Sequence, residues 1–404
     1  MKTPVVREEA AFEAGRRGET VRGDCWVGFR PREAGDLEIR LQSRLEALYG
    51  DSIRDLLGEI LESAGIRHGV LSCEDQGAYP FVLRARMESL LGKVLGKPEF
   101  RVEPEAPAGP LSPLERARRR RSRLYLPGNE PRYMVHAALH RPDGVILDLE
   151  DSVASEAKAD ARALVRHALF AVDWGGCERM VRINPGEPGR ADLQALRGTP
   201  LHLILLPKVE TAEEVRAREA EVAGEDWLFL PILETARGIL NAREIAQASC
   251  RNVGLTLGLE DLTADLGVQK TAEGRETLWA RSQVVFAAVA AGLQPIDSVF
   301  GDVSDEEGLR RSVREARALG FVGKGCVHPR QIRGIHEEFA PAPAEIERAC
   351  RIVRAFEEAR AQGLSVVRLG TRMIDPPVVK RAQRTVADAL EAGLLEPDWK
   401  TKQP

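Results

Sequence analysis

The chain has 404 residues, 43% of them hydrophobic, which is enough for a large core and more than one domain. Its formal charge of -4 argues against a nucleic-acid binder. No apolar run reaches membrane-spanning length, and the amino-terminal MKTPVVREEAAFEAGRR lacks the apolar stretch of a secretory signal.

The first hundred residues predict a small α+β unit, taken as 1–96. Cys25, Val27 and Phe29 alternate with other positions, as do Leu37, Ile39 and Leu41, giving two half-buried strands. Ile53, Leu56, Leu57, Ile60, Leu61 and Ala64 mark an amphipathic helix stopped by Gly65. A third strand, Gly69 to Cys73, precedes a helix whose inner face is Phe81, Leu83, Met87, Leu90 and Leu91. Residues 97–117 are rich in proline and read as a spacer. Arg116, Arg118 to Arg121 and Arg123 then form a basic cluster. Its commonest meaning is a solvated edge, with CoA phosphates second and nucleic acid a distant third.

From 118 to 338 the pattern becomes short apolar strands separated by helices. The expected strands are 123–126, 144–148, 180–183, 203–206, 227–231, 254–257, 297–300 and 323–326. Eight such units fit an α/β fold, a closed (β/α)8 TIM barrel. A doubly wound open sheet is the alternative, but no GxGxxG follows the first strand. Residues 339–404 form a helical extension. The six cysteines, Cys25, Cys73, Cys177, Cys250, Cys326 and Cys350, make no CxxC, so reduced thiols and a cytoplasmic location are expected.

Functional groups in a barrel gather beyond the carboxyl ends of the strands. Polar residues fall there repeatedly: Asp148, Glu150 and Asp151 after the second strand, Arg182 in the third, and Lys208 after the fourth. Glu234 follows the fifth and Asp261 the sixth, 27 positions apart, about one strand–helix unit, while Asp302 ends the seventh and His328 follows the eighth. Two carboxylates converging at one mouth suit a hard divalent cation such as Mg2+. Several packed together raise one another's pKa unless a cation compensates, and a metal plus Arg182 would do so. Asp148 or Glu150 could instead cap a helix, and His328 could be an ordinary packed histidine.

Residues 119 to 388 resemble the citrate lyase β-subunit family, within the group of malyl-CoA and citramalyl-CoA lyases. The matching stretches include Leu124-Tyr125-Leu126-Pro127-Gly128-Asn129, Asp148-Leu149-Glu150-Asp151-Ser152-Val153, Arg182-Ile183-Asn184-Pro185 and Pro207-Lys208-Val209-Glu210. They continue with Glu234-Thr235-Ala236-Arg237-Gly238, Gly258-Leu259-Glu260-Asp261 and Gly325-Cys326-Val327-His328-Pro329. Residues 17 to 95 resemble the acyl-carrier (γ) subunit of citrate lyase, from Gly23-Asp24 through Phe81 to Arg86. The resemblance implies a Mg2+-dependent lyase that cleaves a citryl-, citramalyl- or malyl-type thioester into a keto acid and acetyl thioester. It makes Glu234 and Asp261 the metal carboxylates and Arg182 the cation facing the substrate. Glu150 and Asp151 lie near the metal, and Lys208 and Arg123 are candidates for contact with CoA. In Gly370-Thr371-Arg372-Met373-Ile374-Asp375, Asp375 is the implied acid/base, carried on a lid donated to a neighbour in a homotrimer or hexamer. The other reading of Asp375 and Pro376 is a cap on the last helix.

One departure concerns the carrier-like unit. The family's phosphoribosyl-dephospho-CoA arm hangs from a serine before Gly-Asp, and Arg22 stands in that place. A covalent arm is therefore not expected, and an acyl-CoA substrate gains ground over an acyl-carrier one. A non-catalytic assembly subunit, or an aldolase or mutase acting on a keto acid, are the alternatives.

Overall fold

Alternation in the first unit becomes a four-stranded sheet. The computed structural model describes residues 11–105, 115–361, 367–369 and 372–400, so the middle of the expected spacer lies outside the described residues. Strands β1 (Phe12–Gly15), β2 (Cys25–Pro31), β3 (Leu37–Ser43) and β4 (Gly69–Asp75) pair in the order β1-β2-β4-β3. β3 and β4 run parallel because the helix Glu46–Ser63 crosses between them. That helix stops where Gly65 takes a positive φ of 73° and Ile66 N–H reaches back to Leu61 O. Val27, Phe29, Leu57, Leu71, Leu83 and Leu90 form the core beneath the sheet. β1 was not anticipated, since four residues are too few to reveal a period.

Eight parallel strands then close on themselves. They are β5 (Ser122–Pro127), β6 (Gly144–Asp148), β7 (Glu178–Arg182), β8 (Leu203–Leu206), β9 (Leu228–Leu233), β10 (Gly254–Leu257), β11 (Gln294–Asp297) and β12 (Gly323–Cys326). The pairing of β12 with β5, Gly325 opposite Arg123, seals the barrel and removes the open-sheet alternative. The seventh strand lies three residues earlier than its predicted span. Pro295 concealed it, because proline inside a run demotes a strand when read from sequence. Val299 and Phe300 instead follow the strand into the loop at the mouth.

Successive strand residues face opposite ways. Leu124 and Leu126 of β5 join the outer core against the helices. Tyr125 packs inward with Ile146, Met180, Leu205, Leu230 and Ile232, which fill the β6–β9 half of the interior. The other half is polar: Arg123 of β5 reaches Thr256 Oγ1 of β10 at 3.0 Å.

The basic cluster is not a solvated edge. Arg120 is buried in a two-bond ion pair with Glu178, and Arg121 forks onto Asp143 at 2.9 and 3.0 Å. Arg119 bridges to Asp388 and Glu391. These residues precede β5 and tie the amino-terminal end of the barrel to its neighbours, at the end opposite the strand termini that build an active mouth.

The first unit is fastened to the barrel. Phe81, Val82 and Ala85 of the helix Pro80–Val94 belong to the same apolar cluster as Leu164, Val165 and Ala168 of the helix Lys158–Ala171. At that seam Glu88 accepts from Val102 N at 2.9 Å and pairs with Arg166 and His167. Burial alone would raise the Glu88 pKa, but the His167 and Arg166 bonds outweigh it and hold it low. After the barrel come the helix Pro343–Ala361, the hairpin β13 (Val367–Leu369) and β14 (Arg372–Ile374), and the helix Pro376–Glu391. The two helices pack through Ile352, Val353, Val379 and Val386, with Trp399 of the segment after them in the same cluster. No described helix is long and apolar enough to cross a membrane.

Candidate active site

The carboxyl ends of the strands surround a cavity of about 470 Å³. Arg123, Tyr125, Asp148, Asp151, Arg182, Glu234, Thr256, Gly258, Asp261 and Ser298 contribute to its wall.

Arg182, the last residue of β7, is fixed by its neighbour strand. Its Nε and Nη2 donate to the two carboxylate oxygens of Asp148 at 2.6 and 2.7 Å, where β6 and β7 set Asp148 opposite Arg182. Nη1 lies 2.9 Å from Glu150 and 3.5 Å from Asp151, and the guanidinium stands 5.3 Å from the Tyr125 ring centre. Burial would lower the Arg182 pKa and raise that of Asp148. The fork reverses both, so Arg182 rises and Asp148 falls below the usual carboxylate value. Asp148 is thus the anchor of Arg182, and it also accepts from Glu150 N at 3.0 Å and Ser152 N at 3.2 Å in the turn after β6.

Lys208 has φ of 51°, unusual for a residue with a Cβ. That turn aims its backbone N–H at Glu234 Oε1, 2.8 Å away, while Nζ lies 2.9 Å from Glu150. Glu150 is 3% exposed, and burial raises its pKa even with Arg182 and Lys208 beside it. Glu234 is more strongly perturbed. Burial, then the charges of Glu150 and Asp261, push it to about 8. Such mutual repulsion is what a cation between the carboxylates would relieve.

Glu234 is held by a missing side chain. A Cβ on Gly258 would fall 2.2 Å from Glu234 Oε2 and 2.8 Å from Glu234 Cβ, so only glycine lets the carboxylate lie there. Gly258 opens the short helix Leu259–Asp265, which brings half-buried Asp261 to the cavity. Among the described residues, no group of three or more His, Cys, Asp or Glu forms a metal cage. Two carboxylates on an open cavity still fit Mg2+, which keeps several of its waters.

Other predicted residues fall elsewhere. Asp302 is exposed and accepts from Ser304 N and Oγ, capping its own loop, because β11 ends at Asp297. His328 Nδ1 accepts from Arg330 N at 3.1 Å, a local turn contact. Asp375 is exposed and does not line the cavity of its own chain. It precedes the helix Pro376–Glu391, yet its side chain makes no capping bond; Pro376 and Pro377 have no N–H to offer.

The fold agrees with the comparisons. Residues 121–329 match the family described as HpcH/HpaI aldolase/citrate lyase. The chain belongs to the HpcH/HpaI aldolase/citrate lyase family. Residues 15–93 match a second family, described as malonate decarboxylase delta subunit, of the acyl-carrier type. Among family members, the citrate lyase subunit beta of Leuconostoc mesenteroides subsp. cremoris is 38% identical over 280 residues, covering 67% of this chain and 93% of that one. A (3S)-malyl-CoA thioesterase of Cereibacter sphaeroides is 39% identical over 271 residues, covering 67% and 94%. The crystal structure of CitE from Mycobacterium tuberculosis, in complex with magnesium, acetoacetate and coenzyme A, superposes with a TM-score of 0.58 at 34% identity. It covers 68% of this chain and 99% of that one. The HpcH/HpaI barrel here thus carries an added amino-terminal unit.

In that unit Gly23-Asp24 has a structural job. Asp24 is buried and forks onto Arg86 at 2.7 and 2.9 Å, joining the two ends of the carrier-like motif. Arg22, where the arm-bearing serine would stand, is exposed and donates to Glu19 O and Val21 O. Sequence reasoning missed the Gly258 cradle, the Lys208 turn and the inward reach of Arg123. The glycine of Gly258-Leu259-Glu260-Asp261 was visible, but its purpose depends on a side chain one strand away.

Proposed function

We propose that the chain is a Mg2+-dependent carbon–carbon lyase that cleaves a 3-hydroxy-3-carboxyacyl thioester into an α-keto acid and an acetyl thioester. The observation that carries this reading is the raised, crowded Glu234 beside Asp261, in one cavity with the locked Arg182. Glu234 and Asp261 would hold the metal, which supplies Lewis-acid polarisation of the substrate's carboxylate and hydroxyl oxygens when bound.

The chain's own residues do the rest. Cleavage removes the hydroxyl proton, forms the keto-acid C=O, and sends the C–C electron pair into the thioester as an enolate. Arg182, permanently charged and immobilised by Asp148, faces that enolate oxygen. A proton then returns to the enolate carbon to give the acetyl thioester. Asp375 is the acid/base, delivered by a neighbouring subunit of a trimer or hexamer; its absence from its own cavity supports this. Lys208 Nζ, beside Glu150 and Asp151, would meet CoA phosphates while its backbone positions Glu234. Six free cysteines suit a reducing cytoplasm.

The test is turnover of citryl-, malyl- and citramalyl-CoA by the full chain with Mg2+, following keto acid and free CoA separately. Keto acid without CoA supports the lyase. Free CoA without keto acid, the outcome expected of a thioesterase, would overturn it.

A further inference from the structure

On the floor of the mouth cavity lies a cation with too few partners. Arg123 is 1% exposed; Nη2 donates to Thr256 Oγ1, while Nε and Nη1 have no hydrogen-bond partner. Tyr125 and Gly325 in the cavity wall carry no carboxylate, and the Glu178 charge that reaches Arg123 is committed to Arg120 in a two-bond ion pair. Asp297, also in the wall, is committed to Lys324 at 2.8 Å and Arg281 at 3.0 Å. Two arginines buried as deeply are matched, Arg86 with Asp24 and Arg120 with Glu178. An arginine keeps its charge when buried, so an unmatched one is costly unless a ligand completes it.

We propose that Arg123 binds a carboxylate of the acyl chain other than the one chelated at Glu234 and Asp261. This rests on the lyase reading above and deepens it: the keto-acid fragment released is a dicarboxylate. Arg123, Tyr125, Glu234 and Asp261 line one cavity, so a ligand seated on the metal carboxylates shares its space with Arg123. A citryl-type thioester carries that second carboxylate; malyl and citramalyl types do not.

The experiment is calorimetric titration of the Mg2+-loaded full chain with oxaloacetate and with pyruvate, for wild type, Arg123→Met and Arg123→Lys. The expected wild-type preference for oxaloacetate is about tenfold or more, as for a charged hydrogen bond. Arg123→Met should abolish that preference and leave pyruvate binding within about threefold, whereas Arg123→Lys should keep part of it. The ligand-free melting temperature of Arg123→Met should match or exceed wild type, because an unmatched charge is gone. A preference unchanged in Arg123→Met, or a wild type that binds both acids equally, overturns the Arg123 assignment alone. Wild type that binds neither acid, and no glyoxylate either, overturns the lyase reading with it. Chloride that raises the melting temperature of wild type but not Arg123→Met, with the preference unchanged, assigns the seat to an inorganic anion and overturns the substrate role.

Discussion

Gly258→Ala offers the sharpest test of the metal assignment. Gly258 has φ of -111° and ψ of 94°, which alanine adopts freely, so the backbone should not be strained. The new methyl would lie 2.2 Å from Glu234 Oε2, against roughly 3.5 Å for ordinary contact, so the carboxylate must retreat by about 1 Å. It cannot simply swing aside, since Glu234 Cβ would be only 2.8 Å from the methyl as well. Mg2+ tolerates little error in its ligand distances. Misplacing a ligand through its support typically costs ~10–100-fold in metal affinity, or ~1.4–2.7 kcal/mol. Mg2+ titration of turnover and of heat should show that loss with kcat largely recovered at saturating metal. Gly301→Ala, with nothing within 4 Å of its new methyl, is the control. Wild-type Mg2+ affinity in Gly258→Ala would refute the placement of Glu234 on the metal.

A second expectation concerns protons. With Glu234 at about 8, most of the metal-free protein carries that proton at pH 7, so Mg2+ binding should release close to one proton there and almost none above pH 9. Calorimetry in buffers of different ionisation enthalpy measures this, and no release at pH 7 would contradict it. The native state then holds more protons than the unfolded chain between the ordinary glutamate pKa and about 8. Metal-free stability should therefore fall as pH rises through that window, read as melting temperature in EDTA. Arg182→Lys loses the two-bond fork on Asp148 and should cost ~10²–10³ in kcat; less than tenfold would deny it the enolate role. Asp375→Ala should lower kcat by ~10²–10⁴ with Mg2+ affinity unchanged. Mixing it with an Arg182→Ala variant should restore activity if the lid crosses between subunits, and no restoration would refute donation. Glu88→Gln leaves Arg166 buried without its carboxylate, an expected loss of ~3–5 kcal/mol in denaturant unfolding.

Most of the barrel was legible because short, doubly buried parallel strands are apolar throughout, and five of the eight spans were read to within a residue at each end. The failures have physical causes. Proline hid β11, which displaced the end of the strand and made Asp302 look like a mouth residue when it caps a loop. Charge density in Arg116 to Arg123 suggested solvent, but ion-pair partners for Arg120 and Arg121 come from β7 and the turn before β6, far along the chain. Glu234, Asp261 and Arg182 could be gathered by counting strand–helix units. What holds them could not, because the Gly258 cradle and the Lys208 turn depend on neighbouring strands meeting.

The shared cluster of Phe81, Val82 and Ala85 with Leu164, Val165 and Ala168 bears on how the molecule could have arisen and how it can be handled. A carrier that shuttles an acyl group must leave its partner between visits, so its contact has to be wet and weak. Here the contact has a buried apolar centre, with His167 and Arg166 paired to Glu88. Cutting the chain between 106 and 114 would leave an oily stripe on the barrel and a stranded pair of basic groups. The two pieces should melt together and precipitate apart, as halves of one object rather than as a delivery module and its enzyme.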